Sequence, residues 1–173
     1  MAALTITLSD LQAIRPVASN LGTATGVDRL SMYVDEARRL DLQPSLTAEL
    51  LDKIDTDNTS PLTYALLRSG GTYVYESVTY TFAGLKKALS YFVYARLIKA
   101  NPVNVTAFGV VNKSDPNSER TDYKMISNMA NEAFNIGVAY LADCMDYIGR
   151  TFPTQTKSSL SAGKKFSISP IGD

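Results

Sequence analysis

The apolar positions of this sequence change period several times, and each change predicts an element. Val27, Leu30, Val34, Ala37 and Leu40 recur at spacings of three and four, which predicts an amphipathic helix over 27–40 with its charge on the outer side. Ahead of it, Ser9 and Gln12 have capping-box spacing, so a short helix is expected to open at Ser9 and to end or kink at Pro16. Pro44 suits the first turn of a third helix carrying Leu46, Leu50, Leu51 and Ile54, with the polar run 55–60 as its stop and a short fourth helix over 61–68. Between 72 and 82 the pattern becomes β-branched and aromatic after Gly70-Gly71, which predicts a small hairpin turning at Glu76-Ser77. Glu-Ser lacks the positive-φ preference of an Asn-Gly turn, and two short strands alone are marginal in water, so the hairpin must lean on helices or on another subunit.

Helical spacing returns over 82–100. Leu85, Leu89, Phe92, Val93 and Leu97 fall on one side and Tyr91, Tyr94 and Ile98 on another, the pattern of a helix central to a bundle or shared with a partner chain. Residues 101–117 read as a long loop broken by Gly109 and Pro116, in which Val103, Val105, Phe108, Val110 and Val111 would be costly to leave in water. A last and longest helix is expected from Ser118 or Thr121 to about Gly149, with Met125, Met129, Ala133, Ile136, Tyr140, Cys144 and Tyr147 along its stripe. Residues 151–173 hold eight Ser or Thr residues and scattered anchors at Phe152, Leu160, Phe166 and Ile168, which predicts an extended or flexible arm. The fold class is therefore mainly α: a helical bundle with a long C-terminal helix, a hairpin at about 72–82, a long loop at about 101–117 and an extended tail. Residues 1–150 form the helical domain with its inserted hairpin, and 151–173 form the arm.

Composition narrows the chemistry. The 173 residues include no His, no Trp and one Cys. Without imidazole, Ser-His-Asp and Cys-His catalysis, His-bearing zinc sites and the facial triad of non-haem iron are excluded. A lone Cys144 makes no intrachain disulfide or Cys-rich metal site, and points to maturation in a reducing compartment. Met1–Leu8 lacks the basic and apolar regions of a signal peptide, and no run approaches a membrane span. Formal net charge is zero, but it is unevenly placed: residues 150–173 carry four cations against one anion, net +3, leaving −3 for residues 1–149. Such a split can attract copies of the chain or an acidic neighbour, although sparse charge usually only solvates.

The remaining constellations have plain structural readings. Asp52, Asp55 and Asp57 alternate oxygen donors, yet the glycine and terminal glutamate of a calcium loop are replaced by Ser60 and Leu66, so a helix-ending loop is the better reading. Asp143 and Asp146 share a helix face without a cleft or substrate to serve. Gly70-Gly71 is turn chemistry, since neither phosphate-loop pattern is present. Ten tyrosines could stack nucleobases, but Tyr73, Tyr75 and Tyr80 belong to the hairpin, and Tyr91 and Tyr94 to a helix without interleaved cations. Cys144 lies on the apolar stripe and reads as a buried, inert thiol. No cofactor and no metal is expected.

Three stretches carry a resemblance: 70–96, from Gly-Gly-Thr-Tyr-Val-Tyr to Ser-Tyr-Phe-Val-Tyr-Ala-Arg; 106–113, Thr-Ala-Phe-Gly-Val-Val-Asn-Lys; and 131–141, Asn-Glu-Ala-Phe-Asn-Ile-Gly-Val-Ala-Tyr-Leu. Together they resemble small helical head-to-tail connector proteins of tailed bacteriophages, in particular the connector rings of phages infecting Bacteroidetes hosts, including crAss-like phages. The N-terminal half fits more loosely, so the similarity spans about 5–150.

The resemblance implies a non-enzymatic virion protein at the head-tail junction, made in the host cytoplasm. Several copies, commonly twelve, would form a ring beneath the portal protein, retain the packaged genome and meet other neck or tail rings, enclosing DNA without sequence-specific binding and touching no membrane. The residues expected at its contacts are Tyr73, Tyr75 and Tyr80 of the hairpin, Val105, Phe108, Val110, Val111 and Lys113 of the loop, and Phe152, Leu160, Lys164, Lys165, Phe166 and Ile168 of the arm. The alternative is a small nucleic-acid-binding module in which Lys157, Lys164 and Lys165 clamp phosphates, with binding that weakens steeply with salt.

Overall fold

The long central helix follows from its own sequence. α5, Leu85–Ala100, buries Leu85, Ala88, Leu89, Phe92, Val93, Ala95 and Leu97, so it is apolar nearly all round and most of the other helices gather on it. The structure, a computed structural model, describes residues 4–17, 29–56, 61–100, 103–106, 109–112 and 123–152. Before α5 come α1, Leu8–Gln12, α2, Arg29–Ala37, which runs into a π-helical turn over Arg38–Leu42, α3, Ala48–Thr56, and α4, Pro61–Ser69. The strands β1, Gly71–Tyr75, and β2, Val78–Phe82, connect α4 to α5. After α5 come β3, Val103–Thr106, β4, Gly109–Asn112, and α6, Tyr123–Thr151. The fold is mainly helical, with a two-strand antiparallel hairpin and a long C-terminal helix, as the periodicity predicts.

α6 is the main partner of α5. It turns Ala130, Ala133, Gly137, Leu141, Cys144, Tyr147 and Ile148 inward. Gly137 sits where a Cβ would come within 2.8 Å of the Phe92 ring, so the backbone of α6 lies directly on that side chain. Phe134 flanks Phe92 at 5.2 Å between ring centroids, and Tyr140 stacks on Tyr91 at 5.6 Å. At about 1.5 Å per residue, the 29 residues of α6 outrun the 16 of α5 by roughly 20 Å.

Polar clamps fix the remaining helices. Arg96 on α5 donates from Nε and Nη2 to the Asp41 carboxylate at 3.0 and 2.8 Å, and Glu36 lies 3.6 Å from its Nη1. Arg38 pairs with Asp55, and together they hold the backbone of Leu4: its N–H donates to Asp55 Oδ1 at 2.7 Å and its C=O accepts from Arg38 Nη1 at 3.2 Å. Leu4 and Ile6 are thereby buried beside the helices. Lys86 on α5 reaches Asp10 at 2.8 Å, and Arg15 reaches Glu132 on α6 at 3.1 Å.

Several boundaries differ from the sequence expectations. The first helix is capped by Thr7 rather than Ser9: Thr7 Oγ1 accepts from the Asp10 N–H while the Asp10 carboxylate accepts from the Thr7 N–H at 2.8 Å. A charged acceptor at the third position makes the stronger box than Gln12 would, and Lys86 holds it in place. Leu40, expected on the inner face, is 59% exposed, because the π turn over Arg38–Leu42 adds to the helical step and brings Leu42 to the core instead. Pro44 lies in a turn, and α3 starts later, with Thr47 Oγ1 accepting from the Leu50 N–H at 3.2 Å.

The loop expected over about 101–117 contains a second hairpin. β3 and β4 pair antiparallel around a two-residue connection, from Val103 opposite Asn112 to Thr106 opposite Gly109. The Val-rich strings Val-Asn-Val-Thr and Gly-Val-Val-Asn are good strand formers, and Gly109 is tolerated because it opens β4 beside the turn. Of the arm expected over 151–173, Thr151 closes α6, and residues 153–173 lie outside the described residues.

Candidate functional site

The hairpin β1–β2 is the most distinctive surface element, and its position is set at both ends by backbone geometry. It leaves α4 through Gly70, at φ 79°, and returns to α5 through Gly84, at φ 80°. A Cβ on Gly84 would come within 2.2 Å of Gly70 N, and one on Gly70 within 2.4 Å of the Ala83 carbonyl carbon. The two joints touch, so no other residue fits either without moving the hairpin. Its register runs from Gly71 opposite Phe82 to Tyr75 opposite Val78. Glu76 and Ser77 between them both have positive φ, 47° and 65°, the pattern of a type I′ turn taken by two residues that do not favour it.

One face of the hairpin is bound to the C-terminal end of α6 by an aromatic cluster. Tyr147 stacks on Phe82 at 4.6 Å and meets Tyr73 edge-on at 4.9 Å, while Tyr73 stacks on Tyr80 at 5.4 Å. Arg150, one turn on, donates to Tyr73 Oη at 2.9 Å and lies 3.9 Å from the Tyr80 ring centroid and 5.6 Å from that of Tyr75. Phe152 extends the cluster by stacking on Tyr64 of α4 at 5.3 Å. The other face, Thr72, Val74, Thr79 and Thr81, is exposed, with Val74 70% open to solvent. Toward the tip Tyr75 and Val78 are exposed as well, because the strands run past the end of their support.

Of the residues expected at contacts, Tyr73, Tyr75, Tyr80 and Phe152 thus come together in one cluster. Tyr73 and Tyr80 are half-buried within the chain itself, and Tyr75 is the exposed member. Val105, Val110 and Val111 lie on β3 and β4. Phe108, Lys113, Leu160, Lys164, Lys165, Phe166 and Ile168 lie outside the described residues. Arg150 was missed as a partner of the hairpin. A lone cation at a helix end reads as dipole compensation, and nothing in its spacing shows that three tyrosines from a distant strand pair will fold over it.

The N-terminal turns of α6 are a second exposed apolar surface. Met125 and Met129 are open, where the stripe pattern predicts burial, and Tyr123 beside them is open as well. α6 is longer than α5, and its first turns have no counterpart on that helix to pack on.

The acidic candidates are occupied or solvated. Asp55 is engaged by Arg38 and Leu4, in an open groove that also presents Asp35, Arg39 and Asp52. Among the described residues, no group of three His, Cys, Asp or Glu side chains could hold a metal ion. Asp143 and Asp146 are exposed on α6. Cys144 is fully buried, and burial, with the charge of Asp143 nearby, pushes its thiol up to about 12. No helix among the described residues is long and apolar enough to cross a membrane.

A family model covering residues 42–162 matches the chain, and its description is a family of unknown function, DUF6712. No curated protein and no solved structure matches.

Proposed function

We propose, from the premise that the chain belongs to this family of unknown function, DUF6712, that it is a structural virion protein of a tailed bacteriophage. It assembles as a ring at the portal or neck, connects the DNA-filled head to the tail and helps retain the genome. Its partners are further copies of itself, the portal protein and the adjoining neck or tail rings.

The observation that carries this reading is the hairpin: an uncharged pair of strands, clamped to the body by Arg150 and Tyr147, with its other face open. An element held so firmly and exposed so fully serves contact better than it serves an isolated domain. The stretches that carry the connector resemblance, 70–96 and 131–141, fall on β1–β2, α5 and the middle of α6, a single packed unit. Zero net charge also suits a ring that surrounds DNA without gripping it, since tight phosphate contacts would hinder its passage.

The test is a comparison of particles assembled with and without the chain. Without it, heads should fill but lose DNA and lack tails. Normal, tailed, infectious particles would sink the reading. A titration of the purified chain with duplex and single-stranded DNA separates the nucleic-acid alternative: little binding is expected, whereas micromolar binding that falls steeply with salt would favour a basic clamp.

A further inference from the structure

The open edges of β1–β2 and the make-up of the second hairpin identify a specific contact. In β1–β2, a two-residue loop closes on the hydrogen-bonded pair Tyr75 and Val78. Bonded and non-bonded pairs then alternate, so Thr72 and Val74 on β1, and Thr79 and Thr81 on β2, turn their N–H and C=O groups outward. Among the described residues, these four make no further hydrogen bond. Side chains of both strands reach α6, but the backbone of β2 runs closer to it than that of β1, which leaves β1 as the less encumbered edge.

Neither sheet is protected against pairing. Exposed edges are ordinarily blunted with Lys, Pro or an inward charge. One fifth of the chain is charged, yet the strands Gly-Thr-Tyr-Val-Tyr, Val-Thr-Tyr-Thr-Phe, Val-Asn-Val-Thr and Gly-Val-Val-Asn contain no charged residue and no proline. β3–β4 is likewise a sheet of its own, with strands of four residues against five, and it is not joined to β1–β2 within the chain. Each copy therefore carries two short, neutral, separate sheets of matching length.

We propose that a second copy of this chain covers the β1 edge: the β3–β4 sheet of one copy adds to Thr72–Val74 of the next, making a four-stranded intermolecular sheet. Self-pairing of β1–β2 about a two-fold axis would not use β3–β4 in either copy, whereas pairing unlike sheets uses both. Such a contact is head to tail and propagates from copy to copy, giving a ring where the rotation between copies closes. The edge is ready for it, because the Arg150 and Tyr147 cluster fixes β1–β2 before any partner arrives. This deepens the ring reading by naming the contact within the ring, and it rests on that reading only for the ring's place in a particle.

Disulfide trapping of the full chain tests it, with Cys144 buried and out of reach. A preparation of Val74→Cys is mixed with one of Val105→Cys or Val110→Cys and mildly oxidised; a crosslinked species containing one of each is expected in at least one mixture. Sedimentation supplies the second arm. Val74→Pro removes only an outward N–H, and Val74→Lys adds an edge charge; each should weaken self-association by at least about tenfold while the helical circular dichroism stays unchanged. Unimpaired association of both variants, a wild-type chain that stays monomeric at every concentration, or Val74→Cys crosslinking to itself in preference to either partner would overturn the proposal. A chain that associates through these edges but is missing from particles would overturn the neck reading and leave the contact standing. A neck ring that still forms from the Val74 variants would do the reverse.

Discussion

The α5–α6 pair and the β1–β2 hairpin meet at Tyr147, and they use apolar side chains in opposite ways. Between the helices, small residues on α6 let the backbone close onto Phe92, so that Ala133, Gly137 and Cys144 vanish from solvent. In the hairpin, large aromatics bind one face to the end of α6 and leave the β-branched face wholly in water. The first region derives its stability from density, and its residues would stay buried in a lone copy. The second keeps a strained turn, two bare edges and an exposed valine, features that weaken a monomer and suit an assembled part.

Substitutions separate the two regions by size of effect. Phe92→Ala should cost about 3–5 kcal/mol in chemical denaturation, because Gly137 and Phe134 cannot close the cavity; a loss under ~1 kcal/mol would mean that the helix interface is loose. Next, Gly84→Ala should cost well above ~1 kcal/mol, since its Cβ would strike the backbone of Gly70. Full stability of that variant would show that the hairpin base shifts freely. In the opposite direction, Ser77→Gly should raise stability by about 1 kcal/mol by relieving a positive φ, with no change in helix content. The smallest change is Val74→Ser on the open face, expected to move unfolding free energy by less than ~0.5 kcal/mol. A larger cost would place Val74 in the core of the lone chain.

Acid tests the clamps outside this pair. Burial works to raise the Asp10 carboxyl, but hydrogen bonds from Lys86 and Thr7 outweigh it, and its pKa lies below the ordinary carboxylate value. A folded pKa below the unfolded one stabilises the fold above the unfolded value of ~3.9, and that gain is lost as pH falls through the folded pKa. The stability difference between wild type and Asp10→Asn should therefore be full at neutral pH and shrink below about pH 4. A difference that is constant with pH would show that the carboxylate's charge plays no part in the box.

Much of the helical half was legible in sequence, because burial there follows a period. Leu85, Leu89, Phe92 and Val93 repeat at spacings that no strand reproduces, and Cys144 between Tyr140 and Tyr147 reads as core for the same reason. What periodicity could not carry depended on contacts distant in sequence. The π turn that hides Leu42 and exposes Leu40 is held by Asp41 bound to Arg96, 55 positions away. Arg150 finds Tyr73 across 77 positions, which hides the aromatic cluster from any local pattern. The second hairpin was obscured by Gly109, a residue that breaks strands in their middle but is harmless where β4 begins. That Tyr73, Tyr75 and Tyr80 belong to one hairpin was legible from the β-branched and aromatic run, while the division of that hairpin into a bound face and a free face needed the fold.

Both regions bear on a single question, whether this chain is a part that works only when joined to others. Electron cryo-microscopy of the particles in which the chain is made addresses it most directly. The account predicts a closed ring of copies at the junction of head and tail, with each β1 edge covered by a neighbouring copy. Particles that lack the chain, or that hold it as isolated copies away from the junction, would contradict it.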